Sequence, residues 1–151
     1  MKVSFVIPTF TREQKHFKML FNDCLDSFKK FEGDKHEVIV VEDGGPMKLQ
    51  VEQECIKRGV KCVVSHENGG FAKSVNKGIR ESTGDIIVLV NNDVQFTQPV
   101  SEKIKESFGV DGRVGIVGAL LFYPHGTIQH GGIVVAGRGF THRGWHKNKD
   151  E

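Results

Sequence analysis

The sequence has 151 residues, of which 38% are hydrophobic and 26% charged, and its net charge at pH 7 is +2. This length and composition predict one globular domain with its own core and exclude disordered or low-complexity classes. The positive residues are scattered and form no dense basic patch, which argues against a nucleic-acid-binding protein.

Cysteine usage and hydropathy bear on the compartment. The three cysteines form no Cys-x-x-Cys pair, which predicts free thiols in a reducing environment. The chain enters a strand directly, without a charged and then apolar leader, so we expect no signal peptide. The longest apolar runs are too short to span a bilayer as helices. We therefore expect a cytoplasmic protein without a transmembrane segment.

Short β-branched apolar runs alternate with longer amphipathic stretches along most of the chain. In chain order, the patterns predict strands over 3–7, 37–41, 60–64 and 86–90, with helices over 17–31, 48–58, 71–82 and 99–108. Pro8 is expected to end the first strand, and Gly33 and Gly59 the first two helices.

The remainder of the chain differs in kind. Residues 114–123 and 127–135 are predicted as strands joined by a turn at 124–126. Residues 136–151 are rich in glycine, histidine and basic side chains, and we expect a flexible tail there, ordered only by a ligand.

Strand–helix alternation predicts an α/β fold, an open and mostly parallel sheet with helices on both faces. Because no repeat or linker interrupts it, residues 1–151 are expected to be a single domain. Ligands of such sheets bind beyond the carboxyl ends of the strands. Three predicted strands end there in polar residues, namely Thr9, Asp43 and the triplet Asn91-Asn92-Asp93. We expect these residues to converge on one crevice.

The triplet at 91–93 predicts a metal site. An acid at the open end of a buried strand is well placed to meet a divalent cation that carries phosphate. Mg²⁺ and Mn²⁺ bind few carboxylates together with substrate phosphates and waters, so Asp93 alone can suffice. The alternative is that Asp93 caps a turn while Asn91 and Asn92 bond local backbone groups. The triplet alone leaves both interpretations open.

Five segments carry a family resemblance, and they are VSFVIPTFTRE at 3–13, EVIVVEDGG at 37–45, Asn68-Gly69-Gly70-Phe71-Ala72 with Asn76 and Gly78, Asn91-Asn92-Asp93-Val94, and VGIVGALLFYPHGTIQHGGIVV at 114–135. In order and spacing they resemble the family-2 glycosyltransferases, which have the GT-A, Rossmann-like fold. The last segment is similar to the rhamnosyltransferase-like branch of that family.

The resemblance implies a nucleotide-sugar donor. The substrate-binding residues that it implies are Pro8, Thr9, Asp43, Gly44, Asn68, Gly70, Lys73, Asn76, Asn91 and Asn92. Asp43 would accept a hydrogen bond from the nucleotide base, and Lys73 would offset diphosphate charge. Each position also has a plainer interpretation: Asp43 forms a turn, the glycines lead into a helix, Lys73 is a surface residue, and Asn76 packs the loop.

The resemblance also implies Mn²⁺ or Mg²⁺ on Asp93. The family motif has two aspartates, whereas the first position here is Asn91, which brings no charge. A histidine from the C-terminal region often completes such sites, and the candidates here are His130, His142 and His146. Trp145 is either a sugar-stacking residue or a packing residue.

The function implied is an inverting, metal-dependent transfer of a sugar to a hydroxyl of a glycan or another acceptor. Asp93 would hold the metal that neutralises the leaving diphosphate. The base that deprotonates the acceptor is not identified, because the family places it in an acidic segment beyond the one matched here. Two alternatives follow, a truncated enzyme or a non-catalytic nucleotide-sugar- or glycan-binding module.

Two other nucleotide-using classes are disfavoured by the residues that follow the first strand. A sugar-1-phosphate nucleotidyltransferase needs a glycine-rich basic loop there, and a nicotinamide dehydrogenase needs G-x-G-x-x-G. The sequence has Pro8-Thr9-Phe10-Thr11-Arg12 instead, without a glycine.

Overall fold

The computed structural model describes residues 1–137 and 139–148. The chain divides into two compact units, Met1–Lys105 and Glu106–Glu151. That residues 1–151 act as one domain therefore stays a prediction. Within the described residues, no helix has the length and apolar character needed to cross a membrane.

The first unit is built on a four-stranded parallel sheet with the order β3-β2-β1-β4. Its strands are β1 (Val3–Thr9), β2 (Glu37–Glu42), β3 (Lys61–Val64) and β4 (Ile86–Leu89). The helices are α1, which runs through Gln14–Lys18, Met19–Leu25 and Asp26–Glu32, then α2 (Lys48–Arg58) and α3 (Phe71–Glu81). Helix α4 (Ser101–Gly109) begins in the first unit and ends in the second. The predicted α/β class is confirmed.

Helices cover both faces of this sheet. Successive side chains of a strand point to opposite faces. Phe5 packs edge-on against Phe28 of α1, with ring centroids 4.7 Å apart. Its neighbour Val6 lies on the other face in a buried cluster with Ile39 and Val41, and there α3 approaches it through Gly78.

Strand β1 runs through Pro8, where the sequence predicted its end. Pro8 pairs in register with Val41, and the carbonyl of Thr9 accepts a hydrogen bond from Asp43 N. The backbone groups of Pro8 therefore point the other way, toward β4, whose registered pairs end at Val6. The missing N–H of proline removes no bond from the β1–β2 ladder there.

Helix α1 is longer and less regular than the predicted helix over 17–31. Its middle segment, Met19–Leu25, is a π-helix. This conformation is rare in proteins, and where it occurs it is often found at a functional site. The predicted ends at Gly33 and Gly59 are confirmed, with φ angles of 71° and 66° that favour glycine.

Helix α4 begins at a buried carboxylate. Glu32 Oε1 accepts hydrogen bonds from the N–H groups of Val100 and Ser101, the latter at 3.1 Å. His36 Nε2 lies 3.4 Å from Glu32 Oε2, and both side chains are almost fully buried. Burial raises the pKa of Glu32, but these hydrogen bonds and His36 outweigh it and hold that pKa below its ordinary value. Burial also lowers the pKa of His36, against the attraction of Glu32.

The second unit contains two short antiparallel pairs. Strand β5 (Leu121–Phe122) pairs with β6 (Ile128–His130), and β7 (Ile133–Ala136) pairs with β8 (Gly139–His142). The turn predicted at 124–126 is confirmed, with Gly126 at φ 89°.

Three expectations for the second unit differ from the structure. Residues 114–120 form no strand, so most of the strand predicted over 114–123 is wrong; Ile116 is 92% exposed there. The strand predicted over 127–135 is interrupted at Gly131-Gly132, where Gly132 has φ 110°. Strand β8 lies within the predicted tail, because pairing with β7 supplies its hydrogen bonds. Whether that region is flexible stays a prediction.

Candidate functional site

The loops at the carboxyl ends of β1, β2 and β4 are tied together by hydrogen bonds. Asp43 N donates to the carbonyl of Thr9 at 2.8 Å, which continues the β1–β2 ladder into the loop. Asn92 Nδ2 donates to Thr9 Oγ1, also at 2.8 Å, across from the end of β4. The polar ends of the three strands therefore meet at one edge of the sheet.

An open groove of about 500 Å³ lies at this edge. Eight residues predicted from the sequence line it: Pro8, Thr9, Asp43, Asn68, Gly70, Asn91, Asn92 and Asp93. Three other predicted residues, Gly44, Lys73 and Asn76, are not among its lining residues.

Asp43 holds the loop that precedes α3. Asp43 is only 4% exposed. Its carboxylate accepts hydrogen bonds from Gly69 N at 3.1 Å and from Gly70 N at 2.7 Å. Asn68 Oδ1 accepts from the same Gly70 N at 3.0 Å. Both oxygens of Asp43 are thus engaged by backbone, and lone pairs remain for a donor in the groove.

Glu42 provides a second carboxylate at the same edge of the sheet. It was not predicted from the sequence as a site residue. Glu42 is fully buried and accepts from Gly45 N at 2.8 Å and from Thr11 N at 3.3 Å. Gly45 packs so closely that a Cβ on it would lie 2.6 Å from the Thr11 carbonyl oxygen. Glu42 therefore fixes the loop after β1 against the loop after β2.

The three predicted residues outside the groove lining have other environments. Gly44 has φ 75°, and a Cβ on it would lie 2.5 Å from the backbone carbon of Glu67, so this glycine permits a close backbone contact. The Lys73 side chain is exposed and packs beside Gly69. Asn76 is exposed on α3.

Asp93 and Asn91 are exposed at the groove. Across residues 1–137 and 139–148, Asp93 makes no hydrogen bond or ion pair, so its carboxylate is available to a ligand. Burial raises the pKa of the nearby Cys24 thiol to about 12, and the charges of Asp93 and Asp23 add to that rise. In the same part of the chain, no cluster of three or more His, Cys, Asp or Glu side chains could hold a metal.

Six lining residues were missed by sequence reasoning: Phe10, Arg12, His16, Met19, Phe71 and Ser74. The Arg12 guanidinium lies over the Phe10 ring, 5.0 Å from its centroid, and Arg12 N donates to His16 Nδ1 at 3.4 Å. Position directly after β1 was a usable signal for the first two residues. Phe71 lies in the motif Asn68-Gly69-Gly70-Phe71-Ala72, whereas no local pattern distinguished His16, Met19 and Ser74 from ordinary helix residues.

The histidines considered as metal ligands and Trp145 all lie in the second unit. His130 Nδ1 and His142 Nδ1 share a hydrogen bond of 2.7 Å. His146 stacks on Tyr123, with centroids 5.3 Å apart. Trp145 is 52% exposed and donates from Nε1 to the Tyr123 hydroxyl at 3.2 Å.

A larger cavity of about 810 Å³ lies beside α1 and α2. Its charged side chains are paired with one another. Arg58 bonds Asp26 and Glu54, and Lys29 lies 3.4 Å from Asp34. Because these charges are already compensated, the groove at the strand ends is the stronger candidate site.

Sequence comparison identifies relatives of this chain. The model of the family described as Glycosyl transferase family 2 matches residues 4–140. The dolichol-phosphate mannosyltransferase of Pyrococcus furiosus is 29% identical over 109 residues, which are 71% of this chain and 30% of that protein. The O-antigen biosynthesis protein RfbC of Myxococcus xanthus is 33% identical over 68 residues, 44% of this chain and 5% of that protein. The chain therefore spans 30% or less of the length of these two relatives.

Solved structures with the same fold include two nucleotide complexes. The mannosyltransferase PcManGT from Pyrobaculum calidifontis, in complex with GDP-Man and Mn²⁺, superposes with a TM-score of 0.61 at 20% identity, over 76% of this chain and 34% of that chain. S. aureus TarS 1-349 in complex with UDP superposes with a TM-score of 0.59 at 22% identity, over 72% of this chain and 32% of that chain.

Proposed function

Because this chain belongs to glycosyl transferase family 2 and has its GT-A fold, we propose that it binds a nucleotide-sugar and transfers the sugar to an acceptor hydroxyl. The nucleoside diphosphate would occupy the groove at the ends of β1, β2 and β4. The observation that carries this proposal is the convergence of eight strand-end and loop residues on one groove, with the exposed Asp93 carboxylate, which bonds no described residue, at its surface.

The base would lie near Thr9 and Asp43. Asp43 accepts hydrogen bonds but donates none, so it favours bases with a ring N–H, as in uracil, thymine and guanine. Its bonds to Gly69 and Gly70 fix the direction of the remaining lone pairs. Two structures of the same fold hold UDP and GDP-Man, which supports this choice of base.

The diphosphate would lie toward Asp93 with Mn²⁺ or Mg²⁺. The residues fit this use, because Asp93 presents an exposed carboxylate and Asn91 an exposed amide, both oxygen donors. When bound, the cation supplies positive charge that stabilises the leaving diphosphate. The Arg12 guanidinium, with five N–H donors, lies at the same groove.

Transfer with inversion requires a carboxylate that takes the acceptor proton. Among the described residues, only two carboxylates line the groove. Asp43 is bonded to backbone amides and Asp93 is assigned to the metal. This observation favours a second candidate function, a nucleotide-sugar-binding module without transfer activity. Hydrolysis and transfer assays with UDP- and GDP-sugars separate the two candidates.

Titration calorimetry with UDP, GDP and dTDP, each with and without Mn²⁺ or Mg²⁺, tests donor binding. We expect metal-enhanced binding of at least one nucleotide, which Asp93→Ala abolishes while its circular dichroism stays native. Asp34→Ala is the matched control, because Asp34 is also an exposed acid but lies away from the groove. No binding of any nucleotide, or full metal enhancement in Asp93→Ala, would contradict the proposal.

A further inference from the structure

The segment that carries Asp93 lies beyond the sheet. Strand β4 ends at Leu89, and the last bond to β1 runs from Val90 N to Val6 O. The next turn is closed by Val94 N donating to Asn91 O at 3.2 Å, and the Asn92 side chain ties it to Thr9 Oγ1. Something other than the ladder must therefore hold Asp93 in one place.

Helix α1 contacts this segment at both ends. At one end, Ser27 Oγ accepts a hydrogen bond from Phe96 N at 2.9 Å and donates to Cys24 O at the same distance. At the other end, the Cys24 thiol donates to Asn91 O, with sulfur and oxygen 3.9 Å apart. These contacts bracket Asp93, which lies between residues 91 and 96.

The two bonds of Ser27 are buried, and the Cys24 bond comes from the irregular part of α1. Ser27 is 8% exposed and Cys24 is fully buried. Cys24 belongs to the π-helical stretch, whose first residue, Met19, lines the groove. The Phe96 ring is packed against Phe28, with centroids 5.4 Å apart. The hydroxyl of Ser27 thus satisfies a backbone donor that has no access to water.

We propose that Ser27, assisted by Cys24, is a positioning residue that holds the 91–96 segment so that Asp93 faces the groove. This inference rests on the proposed metal-dependent function. Side chains that orient a metal ligand typically change metal affinity about 10- to 100-fold when they are removed. A residue that only packs the core lowers stability without a selective effect on the metal.

Mn²⁺ titration followed by electron paramagnetic resonance, without nucleotide and with saturating UDP or GDP, tests the inference. For Ser27→Ala we expect Mn²⁺ affinity in the ternary complex to fall about tenfold, with metal-free nucleotide affinity unchanged. Ser27→Thr retains the hydroxyl and should restore Mn²⁺ binding. Ser82→Ala is the matched control, since Ser82 Oγ also bonds a helix carbonyl, that of Ile79, but at the opposite end of α3 from the groove.

Cys24→Ala tests the same contacts from the Asn91 end and decides the matter if Ser27→Ala does not fold. Wild-type Mn²⁺ affinity in the folded variants, whatever their thermal stability, overturns the positioning role. Asp93→Ala in the same titration separates the two levels. If it too binds Mn²⁺ normally, the proposed metal site fails; if it alone loses Mn²⁺, only the role of Ser27 and Cys24 fails.

Discussion

Replacing Gly78 by alanine should destabilise the protein, although alanine is the better helix former. Gly78 lies on α3 where the helix crosses the sheet, and a Cβ there would lie 2.2 Å from Val6 Cγ1 and 3.1 Å from Val41 Cγ2. Carbon atoms in contact prefer roughly 3.5–4.0 Å, so the new methyl group would be too close to Val6 by about 1.5 Å. Val6 is β-branched and central in the sheet, which leaves it few other rotamers.

The net effect follows from two opposing terms. Overpacking a core typically costs about 1–3 kcal/mol, and the change from glycine to alanine in a helix returns about 1 kcal/mol. Because the overlap exceeds what a small adjustment absorbs, we expect unfolding free energy to fall by roughly 1–2 kcal/mol. The shift of α3 would also move Gly70 at the groove, so nucleotide affinity should fall as well.

Urea unfolding measures this effect as a lower midpoint at an unchanged slope. Gly109→Ala is the matched control, because Gly109 is also helical and a Cβ there meets nothing within 4 Å; its midpoint should stay constant or rise. Combining Gly78→Ala with Val6→Ala should give a smaller loss than the sum of the two single changes. A Gly78→Ala protein as stable as the wild type would refute the overlap on which the prediction depends.

Two further predictions concern buried ionisable groups. The pKa values of His36 and Glu32 in the folded protein both lie below their ordinary values. As the pH falls, the unfolded chain therefore takes up these protons before the folded chain does. The unfolding free energy should fall as the pH drops below about 6.5. Urea unfolding at several pH values should show a shallower acid dependence for His36→Gln, and an unchanged dependence would contradict this assignment. Asp43→Ala leaves the Gly69 N–H without its acceptor and the Gly70 N–H with only Asn68 Oδ1, and it should cost about 1–3 kcal/mol. Asp43→Asn keeps an acceptor oxygen and should cost less. Amide hydrogen exchange at both glycines should rise in both variants, and it should rise more in Asp43→Ala than in Asp43→Asn.

Periodicity predicted the strands of the parallel sheet and the helices that cover it, even where paired strands lie far apart in the sequence, as β1 and β4 do. Helix α2 has the predicted bounds, because its apolar spacing and the glycine at 59 are both local signals. Most of the strand predicted over 114–123 was wrong, since an apolar run becomes a strand only when a neighbouring strand is available. Only Leu121–Phe122 has one, in β6. The π-helical part of α1 was not predicted from the sequence, and its Cys24 bonds Asn91, 67 residues away along the chain.

The location of the groove could be predicted from the sequence, but the hydrogen bonds that shape it could not. Polar residues at the predicted strand ends indicated that Thr9, Asp43 and Asn92 would lie at one edge, because the carboxyl ends of parallel strands share that edge. The sequence could not indicate that the Asp43 carboxylate would bond Gly69 and Gly70, 26 and 27 residues away. Pairings of this length depend on how α3 packs on the sheet, which residue patterns do not specify.

The three acidic residues at this edge of the sheet have different hydrogen-bonding roles, and this difference affects how the metal would bind. Glu42 and Asp43 use their oxygens to hold backbone amides of the surrounding loops, whereas the Asp93 carboxylate is the one that we propose binds the metal. One carboxylate and one neutral amide attract a divalent cation weakly, because hard cations of this kind need several oxygen ligands. The diphosphate would supply the missing oxygens and charge. Metal and nucleotide should therefore bind cooperatively, each raising the affinity for the other by the same factor.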